Sequence, residues 1–228
     1  MGTVNYILTR SKRKTVAIHI RDGLVQVRAP VKTPIANIER FILSKEDWIN
    51  EKLAQSKERV EKKESFVVDY GGRLLYKGEY FPLIAREGCH IGFDEEEKCF
   101  FVPPGYSAEQ VRAHCIDIYK LLAKRDLSRR VEFFSEKMNL FPAAVKINSA
   151  KTRWGSCSSK RNVNFSWMLI MADEEVIDYI VVHEIAHIKQ MNHSAEFWDV
   201  VSQFAPNFED CRARLKKLQL KLNEEDWG

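Results

Sequence analysis

The segment His183-Glu184-Ile185-Ala186-His187 is the feature that most constrains the fold of this chain. Two histidines four residues apart lie one turn apart on the same face of an α-helix. Both imidazoles can then reach a single metal ion at about 2.0–2.1 Å, which is the usual length of a zinc–nitrogen bond. The segment therefore predicts a helix here and a metal ion bound against that helix.

The residues around this pair complete the pattern of a catalytic zinc site. Glu184 directs its carboxylate beside the ion, within reach of a zinc-bound water, and so becomes the natural proton acceptor. A catalytic zinc ion keeps three protein ligands and one open position. His193 follows His187 by six residues, after the helix has ended, and is the candidate third ligand. Asn192 is expected to close that turn, because Asn tolerates the left-handed conformation.

The distribution of histidines favours a metal site over packed or surface imidazoles. Three of the six histidines, His183, His187 and His193, fall within one short segment. The other three, His19, His90 and His114, are isolated along the chain. We interpret these three as ordinary surface or core residues.

Composition limits the other functional classes. With 228 residues and 45% hydrophobic side chains, the chain can bury a core in one large domain or two small ones. The net charge of +4 is too small to indicate a nucleic-acid-binding protein from bulk charge. Five cysteines without a C-x-x-C pair argue against both a disulfide framework and a cysteine-based zinc ribbon.

The same features predict a cytoplasmic location. The N-terminal stretch reaches its basic cluster after a very short apolar run, which is the reverse of a secretory signal. No later segment offers 18 consecutive apolar residues, so no membrane contact is expected. An odd number of cysteines also suits a reducing interior.

Residues 1–105 are expected to form a small β/α domain. Alternating β-branched residues around Asp22-Gly23 predict a β-hairpin that ends at Pro30. Helical spacing of apolar residues over 34–63 predicts one or two amphipathic helices. Glycines from Gly71 onward separate several short strands, expected to be antiparallel, which end before residue 105.

Residues 106–228 are expected to form a second domain that carries the histidines. Ser107 and Gln110 form a capping box at the start of a long helix that should end near Asn139. Two or three strands should follow over 144–170, with a turn at 158–162. Asp173 is expected to cap the helix that carries the two histidines, and further helices are expected over 194–204 and from 207 onward.

Residues 153–201 closely resemble the zinc metallopeptidase domain of the YgjP-like family of predicted metal-dependent hydrolases. The likeness extends upstream through VQVRAP, Trp48-Ile49 and LLYKGEYF, so it covers nearly the whole chain. The residues that carry it are Arg153, Gly155, Ser156, Asp178, Tyr179, His183, Glu184, His187, His193, Ser194, Phe197 and Trp198.

This resemblance implies an α+β fold with a zincin-like helical domain and a short β-sheet before the active-site helix. It implies zinc bound by His183, His187 and His193, a catalytic Glu184, and a peptide or protein substrate. In zinc peptidases of this general build a strand edge before the active-site helix binds the substrate backbone, and TRWGSCS or NVNFSWM is placed to do so. SprT-like proteases share the histidine spacing and act on DNA-linked proteins. A nucleic-acid partner for this chain is therefore suggested by analogy alone.

Two other functions remain open at this stage. A metal-bound hydroxide also attacks phosphorus, and a pyrophosphohydrolase activity toward nucleoside triphosphates has been attributed to YgjP-like members. A non-catalytic binding module with a structural zinc ion is the second alternative. Three apparent ligands and a Glu beside them argue against it, because structural zinc sites usually close all four positions with protein groups. The oligomeric state is not predicted.

Overall fold

A computed structural model describes residues 4–21 and 23–228 of the chain. The protein has the predicted α+β fold, with small mixed sheets and several helices. It divides into two compact units. The first comprises the described residues up to Phe66 together with Lys221–Asp226 and Gly228, and the second comprises Val67–Leu220 and Trp227.

The first unit contains a three-stranded sheet with the order β1-β3-β2. Its strands are β1 (Tyr6–Ser11), β2 (Ala17–Arg21) and β3 (Leu24–Pro30). The predicted hairpin is confirmed by the antiparallel pairing of β2 with β3, although Asp22 of its turn lies outside the described residues. β1 pairs in parallel with β3, so the sheet is mixed and not wholly antiparallel as the sequence suggested.

Two helices cover this sheet, α1 (Ile35–Leu43) and α2 (Glu46–Ser65). Their apolar residues recur at helical spacing, and the buried ones pack on the inward-facing residues of β3. The core of this unit consists of Val25, Val27, Ala29, Ile38, Ile42 and Ile49.

The second unit begins with a four-stranded sheet of order β4-β5-β7-β6. Its strands are β4 (Arg73–Tyr76), β5 (Glu79–Ala85), β6 (Gly92–Asp94) and β7 (Cys99–Val102). The sheet is not fully antiparallel as expected, because β5 and β7 run in parallel. The short β6 returns the chain to the sheet beside β7.

The long helix α3 (Ala108–Met138) confirms the predicted boundaries. The capping box is present, with Gln110 N–H donating to Ser107 Oγ and the Gln110 side chain accepting from Ser107 N–H. The helix ends at Asn139, whose φ of 53° places it in the left-handed region. The capping box and the helix end at Asn139 each depend on a few neighbouring residues, so both could be predicted from the sequence.

The two compact units do not coincide with the predicted domains of residues 1–105 and 106–228. The four-stranded sheet packs on α3, so the predicted boundary lies inside the second unit. The ring centroid of Phe100 in β7 lies 5.5 Å from that of Tyr119 in α3. Tyr119 also donates a hydrogen bond of 2.8 Å to the carbonyl of Leu75 in β4.

A second small sheet precedes the histidine-bearing helix, as predicted. It consists of β8 (Ala144–Asn148), β9 (Gly155–Cys157) and β10 (Asn162–Ser166) in the order β8-β10-β9. The predicted turn is confirmed, because Ser158 N–H donates to the Asn162 carbonyl at 3.0 Å. The following residues, Trp167–Met171, form a buried 3-10 helix where the pattern suggested strand.

Three helices complete the chain, α4 (Glu174–Ala186), α5 (Ala195–Phe204) and α6 (Phe208–Leu222). Asp173 caps α4 as predicted and accepts a 3.1 Å hydrogen bond from Val176 N–H. α4 is apolar on nearly every side and is buried accordingly. In the described part of the chain, no helix combines the length and apolar character needed to span a membrane.

Candidate metal centre

The three predicted ligands lie where α4 ends and α5 begins. His183 occupies the last turn of α4, and His187 is the C-cap residue of the same helix. The chain then turns through residues 188–192, and His193 directly precedes Ser194, the N-cap of α5. The order helix, turn, helix therefore returns the third histidine to the two that α4 carries.

The structure brings the three imidazoles together around one point. One ring nitrogen of each histidine lies within 4.8 Å of the other two. The Nε2 atoms of His183 and His193 are 3.1 Å apart. Two nitrogens bound to one ion at about 2.0–2.1 Å lie at most about 4.2 Å apart, and the His183–His193 pair is within this limit. The set of three imidazoles would contract slightly around a bound ion, and its donor type fits zinc.

The turn between α4 and α5 is held by Gln190. Its carbonyl lies 3.0 Å from Nδ1 of His187, which leaves Nε2 of that ring as the metal-facing nitrogen. Its side-chain amide donates a 3.0 Å hydrogen bond to Ser194 Oγ. The expectation for Asn192 is wrong, because the left-handed non-glycine residues among those described do not include it.

Two aromatic residues of α5 support the imidazoles. Phe197 is fully buried, and its ring centroid lies 4.9, 4.5 and 4.9 Å from those of His183, His187 and His193. Trp198 stacks on His193 at 5.8 Å. These contacts restrict the rotation of each imidazole and so fix the directions of the nitrogen lone pairs.

The environment keeps the buried imidazoles neutral. Burial lowers the pKa of His183 to about 3, and the neighbouring His187 and His193 add to the effect. Burial also lowers the pKa of His187. Neutral imidazole is the form that binds a metal ion.

Glu184 lies beside the histidines and is almost completely buried, with 5% of its surface exposed. Burial raises its pKa to about 8, while the charge of Arg153 acts in the opposite direction. Its Oε2 atom is buried and has no hydrogen-bond partner among the described residues. A carboxyl group with this raised pKa is largely protonated at pH 7, and a cation bound beside it would lower the pKa and release the proton. The unused oxygen next to the candidate metal site therefore suits a general base once a metal ion is bound.

The strand β9 is the sheet edge next to this carboxylate. α4 packs against β9, and β9 pairs with β10 alone in the described structure. Of the two segments considered for substrate binding, TRWGSCS supplies this edge. NVNFSWM is excluded, because β10 is the central strand and its backbone groups are used on both sides.

The remaining histidines do not join a metal site in the described residues. His114 packs its ring against Tyr106 at 4.6 Å. Sequence reasoning missed the contact of Phe197 with all three imidazoles. The helical spacing of Phe197 and Val201 was the available signal, and it indicated a buried face without naming the partner.

The solved structures that partially match this chain include two metallopeptidase zymogens. One is the metallopeptidase zymogen of Pyrococcus abyssi abylysin, with 23% identity over 43% of this chain and 97% of that chain, and a TM-score of 0.38. The other is the metallopeptidase zymogen of Methanocaldococcus jannaschii jannalysin, with 23% identity, 42% and 96% coverage and a TM-score of 0.36. No curated protein matches this chain.

The sequence of the chain also matches a family described as "YgjP-like, metallopeptidase domain" over residues 14–218. This range contains the three histidines, Glu184 and the β9 edge. Because the match extends over nearly the whole chain and includes the entire candidate metal centre, this protein belongs to the YgjP-like metallopeptidase domain family.

Proposed function

We propose that this metallopeptidase-family protein is a zinc-dependent peptidase, in which His183, His187 and His193 hold the ion and Glu184 is the general base. The observation that supports the proposal most directly is the convergence of three imidazole nitrogens within 4.8 Å beside a buried carboxylate. Three protein ligands leave a position on the ion for water or substrate, as in catalytic sites.

Zinc bound at this place would make an attacking water more acidic and would polarise the carbonyl of the scissile bond. Glu184 would accept the proton from that water as its oxygen attacks the carbonyl carbon, and would then deliver the proton to the leaving amine. The unpartnered Oε2 atom is available for this proton. The same group thus acts first as a base and then as an acid.

The β9 edge supports a peptide as the substrate. An extended peptide can add to the open side of β9 through backbone hydrogen bonds, which recognise the peptide backbone itself. Gly155 of β9 lies against Glu184, so a peptide placed along this strand passes close to the base. Arg153 precedes the strand, is exposed and bears a charge that acts on Glu184.

The substitution Glu184→Gln tests the proposal. It keeps the size of the side chain and removes the base, so we expect peptide turnover to fall by about 10²- to 10⁴-fold. The zinc content should stay the same, because Glu184 is not a ligand in the proposal. Cleavage of a fluorogenic peptide mixture and elemental analysis of zinc measure the two quantities.

Three outcomes would contradict the proposal. Peptide cleavage by Glu184→Gln at the wild-type rate would exclude the base role. Hydrolysis of nucleoside triphosphates without peptide cleavage, assayed in parallel, would favour the nucleotide hydrolase. A Glu184→Ala protein that retains the full cellular function of the wild type would favour the non-catalytic binding module.

A further inference from the structure

The requirement for glycine at position 155 comes from a neighbouring side chain and not from the backbone conformation of Gly155. It is the first residue of β9 and pairs with Phe165 of the central strand. Its backbone does not adopt the positive φ at which glycine is preferred, unlike Gly71 or Gly78. The backbone conformation alone would therefore accept any residue that fits a strand.

The neighbouring helix explains the requirement. A Cβ atom built on Gly155 would lie 2.6 Å from Glu184 Cγ, 2.6 Å from Oε1 and 2.8 Å from Cδ. Contacts this short are well inside van der Waals separation. They involve the stem of the side chain as well as its end, and Glu184 has little free space because it is 5% exposed.

We propose that Gly155 is a positioning residue for Glu184: its missing side chain forms the slot in β9 that holds the carboxylate beside the three histidines. The proposal rests on the proposed function of Glu184 for its catalytic consequence, but the steric contact stands without it. One oxygen, Oε1, lies against the strand, while the other, Oε2, is left without a partner. Gly155 thus determines where the reactive oxygen points.

An added methyl group should displace the carboxylate and leave the ligands in place. Gly155→Ala is expected to lower kcat by about 100-fold, the order of loss produced by a 1 Å misplacement of a catalytic group. The KM for the same peptide should stay within about twofold, because the backbone edge of β9 is unchanged. The zinc content should equal that of the wild type.

The matched control is Gly92→Ala in β6. Gly92 also has no positive φ and lies in a strand, and its added Cβ would lie 3.0 Å from Cζ of Phe101, remote from the metal centre. This variant should keep the wild-type kcat. The assay uses the single fluorogenic peptide that the wild type cleaves fastest.

A stability cycle tests the contact independently of activity. Gly155→Ala should lower the melting temperature in the wild-type and in the Glu184→Gln background, because Gln fills the same space as Glu. In the Glu184→Ala background, which removes Cγ, Cδ and both oxygens, the same substitution should lower it by less than 1 °C. Melting is followed with zinc bound and again after chelation.

The outcomes separate the two proposals. A Glu184→Gln protein that cleaves peptides at the wild-type rate overturns the proposed function, whatever Gly155→Ala does. An inactive Glu184→Gln protein with a fully active Gly155→Ala protein overturns the positioning role alone. If the single variant Gly155→Ala does not fold, the double variant Gly155→Ala/Glu184→Ala provides the test. The proposed contact requires the double variant to fold and bind zinc, and a double variant that does not fold overturns the contact.

Discussion

At the scale of single residues, the three proposed zinc ligands all pack on one phenylalanine, which is not itself a ligand in the proposal. Phe197 has no exposed surface and contacts all three imidazoles. Phe197→Leu should reduce zinc affinity by about 10- to 100-fold, the loss typical when a residue that orients metal ligands is changed. Competition with a zinc chelator measures this affinity.

Phe100→Leu is the control for the general cost of a smaller core residue. Phe100 is equally buried and packs among aromatic rings of the second unit, away from the histidines. Both variants should lose about 1–3 kcal/mol of unfolding free energy in urea. Equal zinc affinities for the two variants would refute the role of Phe197 in orienting the ligands.

The sequence predicted the histidines and the glutamate of the candidate metal centre, but it did not predict the residues that orient their side chains. Helix geometry places two histidines four residues apart on one face, so the convergence of His183 and His187 could be predicted from a segment of five residues. The contacts of Gly155 with Glu184 and of Phe197 with the imidazoles join residues of different elements. No local pattern encodes such contacts. The expected role of Asn192 was wrong for a different reason: Gln190 holds that turn through local hydrogen bonds with His187 and Ser194.

At the scale of elements, the β4–β5 turn packs against the start of α4. Gly78 has a φ of +83°, and a Cβ there would lie 2.9 Å from Asp173 Cβ, on the residue that caps α4. Gly78 N–H also donates to the Met171 carbonyl at 3.2 Å. Gly78→Ala should therefore cost about 1–2 kcal/mol for the left-handed backbone and a further 1–3 kcal/mol for the overlap.

Gly71→Ala separates these two costs. Gly71 has a similar φ of +78°, but nothing lies within 4 Å of its added Cβ. Gly71→Ala should lose only the unfolding free energy that the left-handed backbone costs. Urea unfolding should therefore find Gly78→Ala less stable than Gly71→Ala by about 1–3 kcal/mol. Equal losses would mean that the turn can move away from α4 at no cost.

Elements with local signals were predicted well, and elements set by distant partners were not. The caps at Ser107 and Asp173 and the turn at 158–162 depend on neighbouring residues, and all three are confirmed. The parallel pairings of β1 with β3 and of β5 with β7 depend on partners far along the chain. Trp167–Met171 has a strand-like composition, but it forms a fully buried 3-10 helix that packs on α3 and β4, which are distant in sequence.

At the scale of the whole molecule, a partly buried ion network links α3, α4 and the β4–β5 turn of the second unit. Arg130 of α3 donates to Asp126 at 2.6 Å and also pairs with Asp178 of α4. Lys77 of the β4–β5 turn lies 3.4 Å from Asp126 and 2.9 Å from Glu174 of α4. The predicted boundary after residue 105 fell inside this unit because such a network is not visible in composition or turn signals.

The titration of this network gives the protein a defined acid sensitivity. Burial raises the pKa of Asp126, but the hydrogen bond and charge of Arg130 and the charge of Lys77 outweigh it and hold the pKa below its usual value. The stabilisation from ionised Asp126 is therefore complete above the unfolded value of about 3.9 and is lost as the pH falls through the lower folded value. Burial raises the pKa of Asp178. The stability contributed by Asp178 is therefore present below its unfolded pKa and is lost as the pH rises through the folded value.

Asp126→Asn isolates the contribution of Asp126 from every other group that titrates in acid. At pH 7 the variant should be less stable than the wild type by about 1.5–3 kcal/mol, the value of a hydrogen bond to a charged group. As the pH falls below the folded pKa, the wild-type carboxyl becomes neutral like Asn, and the two unfolding free energies should converge. Asp117→Asn on the exposed face of α3, where Asp117 pairs with Lys120 at 3.4 Å, is the control and should change stability by less than about 0.5 kcal/mol at pH 7. A difference between Asp126→Asn and wild type that stays constant from pH 7 to pH 2 would show that shape, and not charge, holds α3 to its neighbours.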